Sequence, residues 1–559
     1  RIHAAMNLAH FPPGSHNGKV MLQILETFPR DELFQSSAKK LFEIAMGLIA
    51  IEEQNRVRVF SRTDPFHRYY SILVYIPREQ YSQHVREKIQ TLISVKLNAY
   101  SSDFSIYFTD NRMARLHLIV QVGTDEKKNL DNAAIEELIC GVTESWQEKL
   151  KSVLYNNYPR KTAQQLFQRY AEAFTAPYIA KTEIKKAAAD IEQLEQLKNS
   201  DNNLAVKIYR DTSHSDERVE LRCYFKDQPL ALSEIQPRLN NLGLRLMLED
   251  LYPVSVDNNE TYWVQDFRAQ TAVDVNHLFW HDASHFEQAF IAIHKELCDD
   301  DDFNRLIISA DINWREVSLI RAYCRYLKQL GNYFEQNYLS KLLVDNGAIS
   351  RLLIDLFHAR FNPNIAERDT LQHKLNEQLD IALEAVQSLD ADRLCRSLRS
   401  LIMATLRSNY YQTEDEQAEN CAIYAFKFST RDILEAPAPR PRYEIWVHSP
   451  NFEAVHLRGD KVARGGLRWS DRPEDFRTEV LGLVKAQMVK NAVIVPVGAK
   501  GGFVCRRLPE NGSREAIQAE VIQCYKDFIG AMLSLTDNLQ GDQVIRPPLS
   551  VCHDDDDPY

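Results

Sequence analysis

Near the start of the chain, two short stretches are rich in β-forming residues, and in two more the apolar and polar residues alternate with a period of two. Such alternation is typical of β-strands that bury one face. Between the second and third stretches, Tyr81, Val85 and Ile89 repeat with the spacing of one helix face. The predicted strands are Arg56–Phe60, Tyr69–Ile76, Asp103–Phe108 and Arg115–Val122. The order strand, strand, helix, strand, strand predicts a small α+β module over residues 56–125.

The same order of elements returns in residues 201–275. The predicted strands there are Ala205–Tyr209, Arg218–Phe225, Leu244–Leu248 and Thr261–Phe267. A helix is predicted over Ser233–Leu242, and Gly243 ends it. Two units of like order predict duplicated modules, each with helices on one face of its sheet.

The remaining residues before position 420 predict helices, because their apolar residues repeat every three to four positions. These helical regions are residues 1–55, 126–200 and 276–420. The sequence EAPAPRP at 435–441 then predicts a stiff linker and a domain boundary. Beyond it, Tyr443–His448 and Glu453–Arg458 predict strands, which open a last domain over residues 435–559.

Composition narrows the class of protein. The 559 residues suggest roughly three to five domains. Hydrophobic residues make up 44% and charged residues 26%, which are ordinary globular values. The net charge of −11 argues against binding to nucleic acid or to an anionic membrane. The acidic runs Asp299–Asp302 and Asp554–Asp557 predict solvated surface rather than metal sites.

The sequence predicts neither a membrane or secretion segment nor a cysteine-based metal or disulfide site. No apolar run reaches the roughly 18 residues that predict a transmembrane helix. Residues Arg1–His10 lack the apolar core of a signal peptide, and without an initiator Met we expect that they are not the natural start. The nine cysteines form no C-x-x-C pair, so neither a zinc site nor a disulfide framework is predicted. A reducing cytoplasm fits this pattern.

Residues 461–504 hold the glycine- and lysine-rich stretch of the chain. Arg464 is followed by two residues without side chains, which predicts that a small substrate approaches the backbone there. A helix follows, on which Gln487 and Lys490 share a face. A buried strand is predicted over Val493–Val497, and the sequence GAKGG at 498–502 then predicts a tight turn that contains Lys500.

The three cations Arg464, Lys490 and Lys500 suggest a site for a dicarboxylate. Such a substrate needs a cation at each end and a polar group where the chemistry occurs. A lysine enclosed by glycines and an apolar strand suits acid–base work. Each residue taken alone has a simpler explanation. In these simpler explanations, Lys490 would hydrogen-bond the last carbonyls of its helix, Arg464 would form a surface ion pair, and Lys500 would be exposed to solvent.

The segment RGGLRWSDRPEDFRTEVLGLVKAQMVKNAVIVPVGAKGGF resembles the substrate-domain signature of glutamate dehydrogenases, and most of all the large bacterial NAD-dependent ones. The resemblance extends to LETFPRDELFQ at 25–35 and to HDDDDPY at 553–559. It implies a multidomain α+β and α/β protein. ACT-like α+β modules and helical regions would precede the start of a substrate-binding (catalytic) domain.

The resemblance also implies residue roles. Arg464 stands where smaller glutamate dehydrogenases have the lysine that binds the substrate side-chain carboxylate. Lys490 and Gln487 match the pair that holds the α-carboxylate, and Lys500 matches the catalytic lysine. The matching close-approach glycines are Gly465, Gly466, Gly501 and Gly502. Lys490 and Lys500 lie closer in sequence than in the smaller enzymes, which implies a tighter intervening turn.

The implied reaction is the reversible, NAD-dependent oxidative deamination of L-glutamate to 2-oxoglutarate and ammonium. No G-x-G-x-x-G fingerprint is present, so we expect the catalytic aspartate, the NAD site and the Rossmann domain to lie beyond Tyr559. A homo-oligomer is implied, and an amino-acid effector at the ACT-like modules is a candidate partner. The alternatives are a dehydrogenase for another amino acid, and an amino-acid-sensing or oligomerising module without catalysis.

Overall fold

A computed structural model describes residues 1–558, with gaps at 13, 53–55, 109–112, 124–129, 201, 211–217, 257–259, 276–278, 281, 333, 413–421, 462, 491–496 and 510–511. The structure also leaves undescribed the side chains of residues 51–52, 463 and 487–490. The chain divides into two compact units. Unit 1 comprises Arg1–Glu172 and Ile179–Ala188, and unit 2 comprises Ala173–Tyr178 and Ala189–Tyr559. No helix in the described residues is long and apolar enough to cross a bilayer.

Unit 1 is built around a four-stranded antiparallel sheet with strand order β1-β2-β4-β3. Its strands are β1 (Arg58–Thr63), β2 (Tyr69–Pro77), β3 (Ser101–Phe108) and β4 (Met113–Gln121). Its helices are α1 (Ile2–Ala9), α2 (His16–Glu26), α3 (Arg30–Gln35), α4 (Ala38–Glu52), α5 (Gln83–Leu97), α6 (Asn132–Thr143), α7 (Trp146–Asn157) and α8 (Arg160–Tyr170). Two further helices, α9 (Ala176–Lys181) and α10 (Ile184–Lys198), span the division between the units.

Helices cover both faces of this first sheet, so the prediction of helices on one face is wrong here. On one face, Ile72 and Val74 pack with Ile89 of α5. On the other face, Leu73 and Tyr75 pack with residues of α2 and α4. The sequence YYSILVYI of β2 accounts for this, because a strand buried on both faces is apolar at successive positions.

Unit 2 begins with a second antiparallel sheet of the same kind, with order β5-β6-β8-β7. Its strands are β5 (Leu204–Arg210), β6 (Arg218–Lys226), β7 (Leu244–Val256) and β8 (Glu260–Thr271), and α11 (Leu232–Asn241) lies between β6 and β7. The predicted order of elements is therefore confirmed in both modules. One face packs against α11 and α12 (Ser284–His294) through residues such as Leu221, Ile235 and Phe286.

Helices dominate the chain after this sheet, as predicted. They are α13 (Leu306–Ser309), α14 (Trp314–Gln329), α15 (Gln336–Val344), α16 (Gly347–Phe361), α17 (Arg368–Glu384) and α18 (Leu389–Ala404). The predicted helical region at 276–420 is wrong at its end, because β9 (Thr405–Ser408) follows α18 directly. This strand has four residues and includes a buried arginine, so its sequence shows no alternation.

The last part of unit 2 is a seven-stranded sheet with order β13-β15-β12-β11-β10-β9, in which β14 also pairs with β15. The other strands are β10 (Tyr424–Ser429), β11 (Tyr443–His448), β12 (Phe452–Arg458), β13 (Ala463–Arg464), β14 (Leu467–Trp469) and β15 (Val497–Cys505). The helices are α19 (Phe476–Lys490) and α20 (Arg514–Leu533), and a small hairpin follows, made of β16 (Asn538–Gln540) and β17 (Gln543–Ile545).

The Pro-rich stretch is not the domain boundary that the sequence predicted. Strand β10 precedes the stretch and β11 follows it, yet the two pair antiparallel from Tyr424 with His448 to Ser429 with Tyr443. The sheet therefore continues across residues 435–441. Proline punctuates the chain locally, but it does not reveal whether the flanking segments pair with each other.

Candidate active site

Lys500 lies in the middle of β15, between strands on both sides. On one side β12 runs antiparallel, and Lys500 pairs with Leu457. On the other side β13 and β14 run parallel to β15, with Arg464 opposite Gly498 and Leu467 opposite Gly501. The predicted turn at 498–502 is therefore wrong, because these residues form the interior of a strand. Only Val497 of the predicted strand at Val493–Val497 belongs to β15, and residues 493–496 lie outside the described residues.

Arg464 and Lys500 lie on the same face of this sheet. Arg464 is opposite Gly498, and side chains that are paired across strands share a face. Lys500 follows Gly498 by two residues and so points to the same side. Neighbouring strands about 4.8 Å apart and two residues of rise place the two Cα atoms at about 8 Å. The structure thus brings together two of the three predicted cations.

Three of the four predicted glycines allow protein chains to approach closely. A Cβ on Gly465 would lie 1.4 Å from the Ala499 carbonyl oxygen. A Cβ on Gly501 would lie 2.2 Å from Cδ2 of Leu467, and one on Gly502 would lie 2.6 Å from Cγ2 of Val480. Gly466 differs, because a Cβ there would have no described atom within 4 Å. The glycines therefore serve the packing of β13, β14 and α19 on β15.

Helix α19 covers the face of the sheet that carries Lys500. Val480 lies against Gly502, and the ring of Phe476 stacks on Trp446 of β11 with centroids 6.1 Å apart. Gln487 and Lys490 lie in the last turns of α19, as predicted, but their side chains are outside the described residues. The convergence of Lys490 with the other two cations therefore stays a prediction.

A buried ion pair that the sequence analysis missed fixes the start of α19. Arg477 donates two hydrogen bonds of 2.7 Å to the Glu444 carboxylate of β11, and both side chains are fully buried. Burial alone would lower the pKa of Arg477, but the charge of Glu444 raises it above its usual value. Gln329 of α14 also donates to the Pro473 carbonyl at 2.9 Å. The helix that carries Gln487 and Lys490 is thus held at its N-terminal end.

Three buried cations occupy the opposite face of the sheet, next to α20. Arg458 donates two hydrogen bonds of 2.9 Å to Asp557, and Lys427 contacts the same carboxylate. Arg407 donates to Asp537 at 2.7 Å and to Asp554 at 2.6 Å. Every member of this cluster is at least nine-tenths buried.

The prediction of a solvated acidic run at the end of the chain is therefore wrong for Asp554 and Asp557. Burial alone would raise the pKa of Asp557, but hydrogen bonds from Arg458 and the charge of Lys427 lower it to about 2. Asp555, between them, has a side chain that is 94% exposed. The two buried carboxylates are therefore three residues apart, and an exposed aspartate lies between them.

The acidic run Asp299–Asp302 is also partly buried, again against the prediction. Arg506, one residue beyond β15, donates to Asp299 at 2.8 Å. Asp301 accepts two hydrogen bonds of 2.9 Å from Arg321, which is 1% exposed. Among the described residues, no group of three or more side chains is arranged to hold a metal ion.

Six models of glutamate dehydrogenase domains and motifs match segments of this chain. The model described as "Bacterial NAD-glutamate dehydrogenase, catalytic domain" matches residues 378–559. The glutamate dehydrogenase ACT2 and ACT3 domain models match residues 58–147 and 203–277. The models of helical motifs 1, 2 and 3 match residues 1–54, 153–197 and 298–363.

Three curated relatives align with the whole of this chain. The NAD-specific glutamate dehydrogenase of Halomonas elongata is 41% identical over 559 residues, and this alignment covers 34% of the relative. That of Pseudomonas aeruginosa is 41% identical over 567 residues, covering 35% of it. That of Mycobacterium tuberculosis is 34% identical over 591 residues, covering 36% of it.

The chain is therefore similar to bacterial NAD-specific glutamate dehydrogenases over its whole length. The chain spans about a third of the length of these relatives. The catalytic-domain match begins at residue 378, upstream of β9 and of the Pro-rich stretch. It therefore includes the whole seven-stranded sheet, which agrees with the strand pairing across residues 435–441. The location of the NAD site beyond Tyr559 stays a prediction.

Proposed function

We propose that this chain forms part of an NAD-dependent glutamate dehydrogenase, in which the α19 face of the seven-stranded sheet binds the substrate. The observation that carries the proposal is the placement of Arg464 and Lys500 on one face, on adjacent strands, in a segment that matches the family's catalytic domain. The reaction of the full-length enzyme is the oxidative deamination of L-glutamate to 2-oxoglutarate and ammonium, and its reverse.

Each residue of the site has a proposed part in this reaction. The guanidinium of Arg464 binds the side-chain carboxylate of glutamate with two hydrogen bonds. Lys490 and Gln487, on the end of α19, bind the α-carboxylate. The Lys500 amine assists the addition of water to the oxidised α-carbon as a proton acceptor. Gly466 keeps the space beside Arg464 open, which lets the substrate reach the backbone.

We expect NAD to bind outside the unit formed by β14, α19 and β15. These three elements form a parallel β-α-β unit. The turn that opens α19 reads SDRPED over Ser470–Asp475 and contains no glycine. A pyrophosphate needs glycines there to approach the helix N-terminus.

Replacement of Lys500 tests the proposal. In the full-length enzyme, we expect Lys500→Ala to lower turnover by about 10²–10⁴-fold, because a positioned acid–base group is lost. The melting temperature should stay within a few degrees of the wild-type value. Lys374→Ala is the matched control, since this exposed lysine on α17 lies away from the sheet. Wild-type turnover in Lys500→Ala would remove Lys500 from its role.

We further propose a regulatory role for the two four-stranded modules, which match ACT domain models. An amino-acid effector would bind there, and assembly into a homo-oligomer belongs to the same proposal. Thermal-shift screening separates the two kinds of ligand. Stabilisation by 2-oxoglutarate supports the catalytic site, and it should disappear in Arg464→Ala. Stabilisation by an apolar amino acid that survives Arg464→Ala supports an effector site.

A further inference from the structure

Two cysteine thiols lie close together at the end of the strand that carries Lys500. Cys505 is the last residue of β15, and Cys524 lies in the middle of α20. Their thiols are close enough for each to shift the pKa of the other. Both belong to the apolar cluster between the sheet and α20, Cys524 within it and Cys505 at its edge.

Backbone contacts fix this neighbourhood independently of the thiols. The carbonyl oxygen of Asn451 accepts a hydrogen bond of 2.7 Å from the backbone N–H of Arg506, the residue after Cys505. The same oxygen lies 4.0 Å from the sulfur of Cys524. Two residues before Cys505, Phe503 packs on Tyr525 and Phe528 of α20, with centroid distances of 6.1 and 6.3 Å. Strand and helix are thus held together on both sides of the pair.

We propose that Cys505 and Cys524 are a site of reversible oxidative modification, at which a hydroperoxide or a small-molecule disulfide converts the two thiols to an intramolecular disulfide. The proposal is independent of the enzymatic function proposed above. It rests on the packing of both residues in one cluster beside the Asn451 carbonyl, on the partial exposure of Cys505 and on the burial of Cys524.

The two thiols differ in the way that such a reaction requires. The neighbouring Cys524 thiol lowers the pKa of Cys505, which favours the thiolate. The neighbouring Cys505 sulfur and burial raise the pKa of Cys524, so the proton of Cys524 stays in place. Each of the other described cysteines has a raised pKa, with burial as the main cause. Cys505 is therefore the preferred nucleophile among the described thiols.

With hydrogen peroxide the chemistry balances in two steps. The Cys505 thiolate attacks one peroxide oxygen, the O–O bond breaks, and the departing hydroxide takes a proton to become water. Cys505 is then a sulfenic acid. The Cys524 sulfur attacks the Cys505 sulfur, the S–O bond breaks, and hydroxide leaves with the Cys524 proton as a second water. Two thiols and one peroxide thus give one disulfide and two waters, and a thiol reductant reverses the change.

A buried pair elsewhere in the chain provides an internal control. Cys324 and Cys395 lie in the same apolar core, both are 1% exposed, and burial raises the pKa of each. Proximity combined with exposure and thiolate character selects Cys505 and Cys524.

Peptide mapping of the oxidised protein tests the proposal. Trypsin cleaves after Lys500, Arg506, Arg514 and Lys526, so residues 501–506 and 515–526 are released as peptides with one cysteine each. After treatment of the native chain with hydrogen peroxide, we expect these two peptides to be joined, with the loss of two hydrogens. Dithiothreitol should separate them. The peptides that contain Cys324 and Cys395 should stay reduced.

Variants distinguish the two steps. In Cys524→Ala, the sulfenic acid at Cys505 has no neighbouring thiol, and a dimedone adduct should accumulate on peptide 501–506. In Cys505→Ser, neither the adduct nor the disulfide should form. Cys552→Ala is the control and should still form the disulfide. Cys505 oxidised to a sulfinic acid in the wild-type chain without the cross-link would overturn the proposal, as would equal oxidation of Cys324 and Cys395.

Discussion

The basic side chains on the two faces of the seven-stranded sheet differ in their burial and in their ion pairing. On the α20 face, Arg407, Lys427 and Arg458 are buried and each contacts at least one aspartate. On the α19 face, Lys500 is half-buried and forms no ion pair with any described carboxylate. Burying a charge without a partner costs several kcal/mol, so the first group has its neutralising partners built in. Lys500 instead keeps its donors available for a ligand.

This difference shows why a count of basic residues does not locate a site. Arg458 and Lys500 lie on neighbouring strands, and Leu457, which pairs with Lys500, directly precedes Arg458. The alternation of a strand sends the two side chains to opposite faces. One cation then holds the segment around Asp557 to the sheet, and the other faces α19. The predictions below test this division, from the largest expected effect to the smallest.

Removal of a carboxylate from the α20 face should cost the most stability. Asp557→Ala leaves Arg458 and Lys427 buried without their shared partner, and we expect a loss of about 3–5 kcal/mol in the free energy of unfolding. Urea denaturation followed by circular dichroism measures it. Asp555→Ala, in the same acidic run but exposed, should change stability by less than about 0.5 kcal/mol. Equal effects of the two substitutions would contradict the anchoring role of Asp557.

Two adjacent glycines beside the α19 face should respond differently to a methyl group. A Cβ on Gly465 would overlap the Ala499 carbonyl, so Gly465→Ala should cost about 3 kcal/mol through displacement of β13. Gly466→Ala meets open space and should cost less than about 1 kcal/mol. Chemical denaturation gives both values. If Gly466→Ala were the more destabilising, the placement of β13 against β15 would be wrong.

Acid should reduce the stability that the Asp557 carboxylate contributes on the α20 face. The pKa of Asp557 is about 2 in the folded protein and about 4 in the unfolded chain, so this carboxylate stabilises the fold fully above pH 4. That contribution, about 2.5 kcal/mol, is lost as the pH falls through 2. Urea titrations between pH 5 and 2 should show stability declining less steeply in Asp557→Asn than in the wild type. Identical slopes would exclude Asp557 as a source of the acid sensitivity.

The smallest expected effect concerns the substrate rather than the fold. In the full-length enzyme, Arg464→Ala should raise the KM for glutamate about tenfold or more, equivalent to about 1.4 kcal/mol, because a carboxylate partner is lost. Arg268→Ala, which removes an exposed arginine paired with Asp250, should leave the KM within about twofold. A KM unchanged by Arg464→Ala would favour a dehydrogenase for an amino acid without a second carboxylate.

The sequence predicted local elements well where periodicity was strong. Strands β2, β5 and β6 match the predicted stretches within one residue at each end. Strand β1 shares only residues 58–60 with its predicted stretch. The prediction was wrong at GAKGG, where the glycines suggested a turn but the structure has a strand. Glycine permits both tight turns and close approach between chains, and only the neighbouring strands decide which of the two applies.

By itself, the sequence determined the repeated order of the two modules and the segment in which the candidate site lies. Each of these depends on residues within a few turns or strands of one another. Only the tertiary structure decided which charges are neutralised, since Arg458 and Asp557 are 99 positions apart and Arg407 and Asp537 are 130 apart. Periodicity predicts which face of a helix or strand is buried, but it does not predict which distant side chain contacts that face.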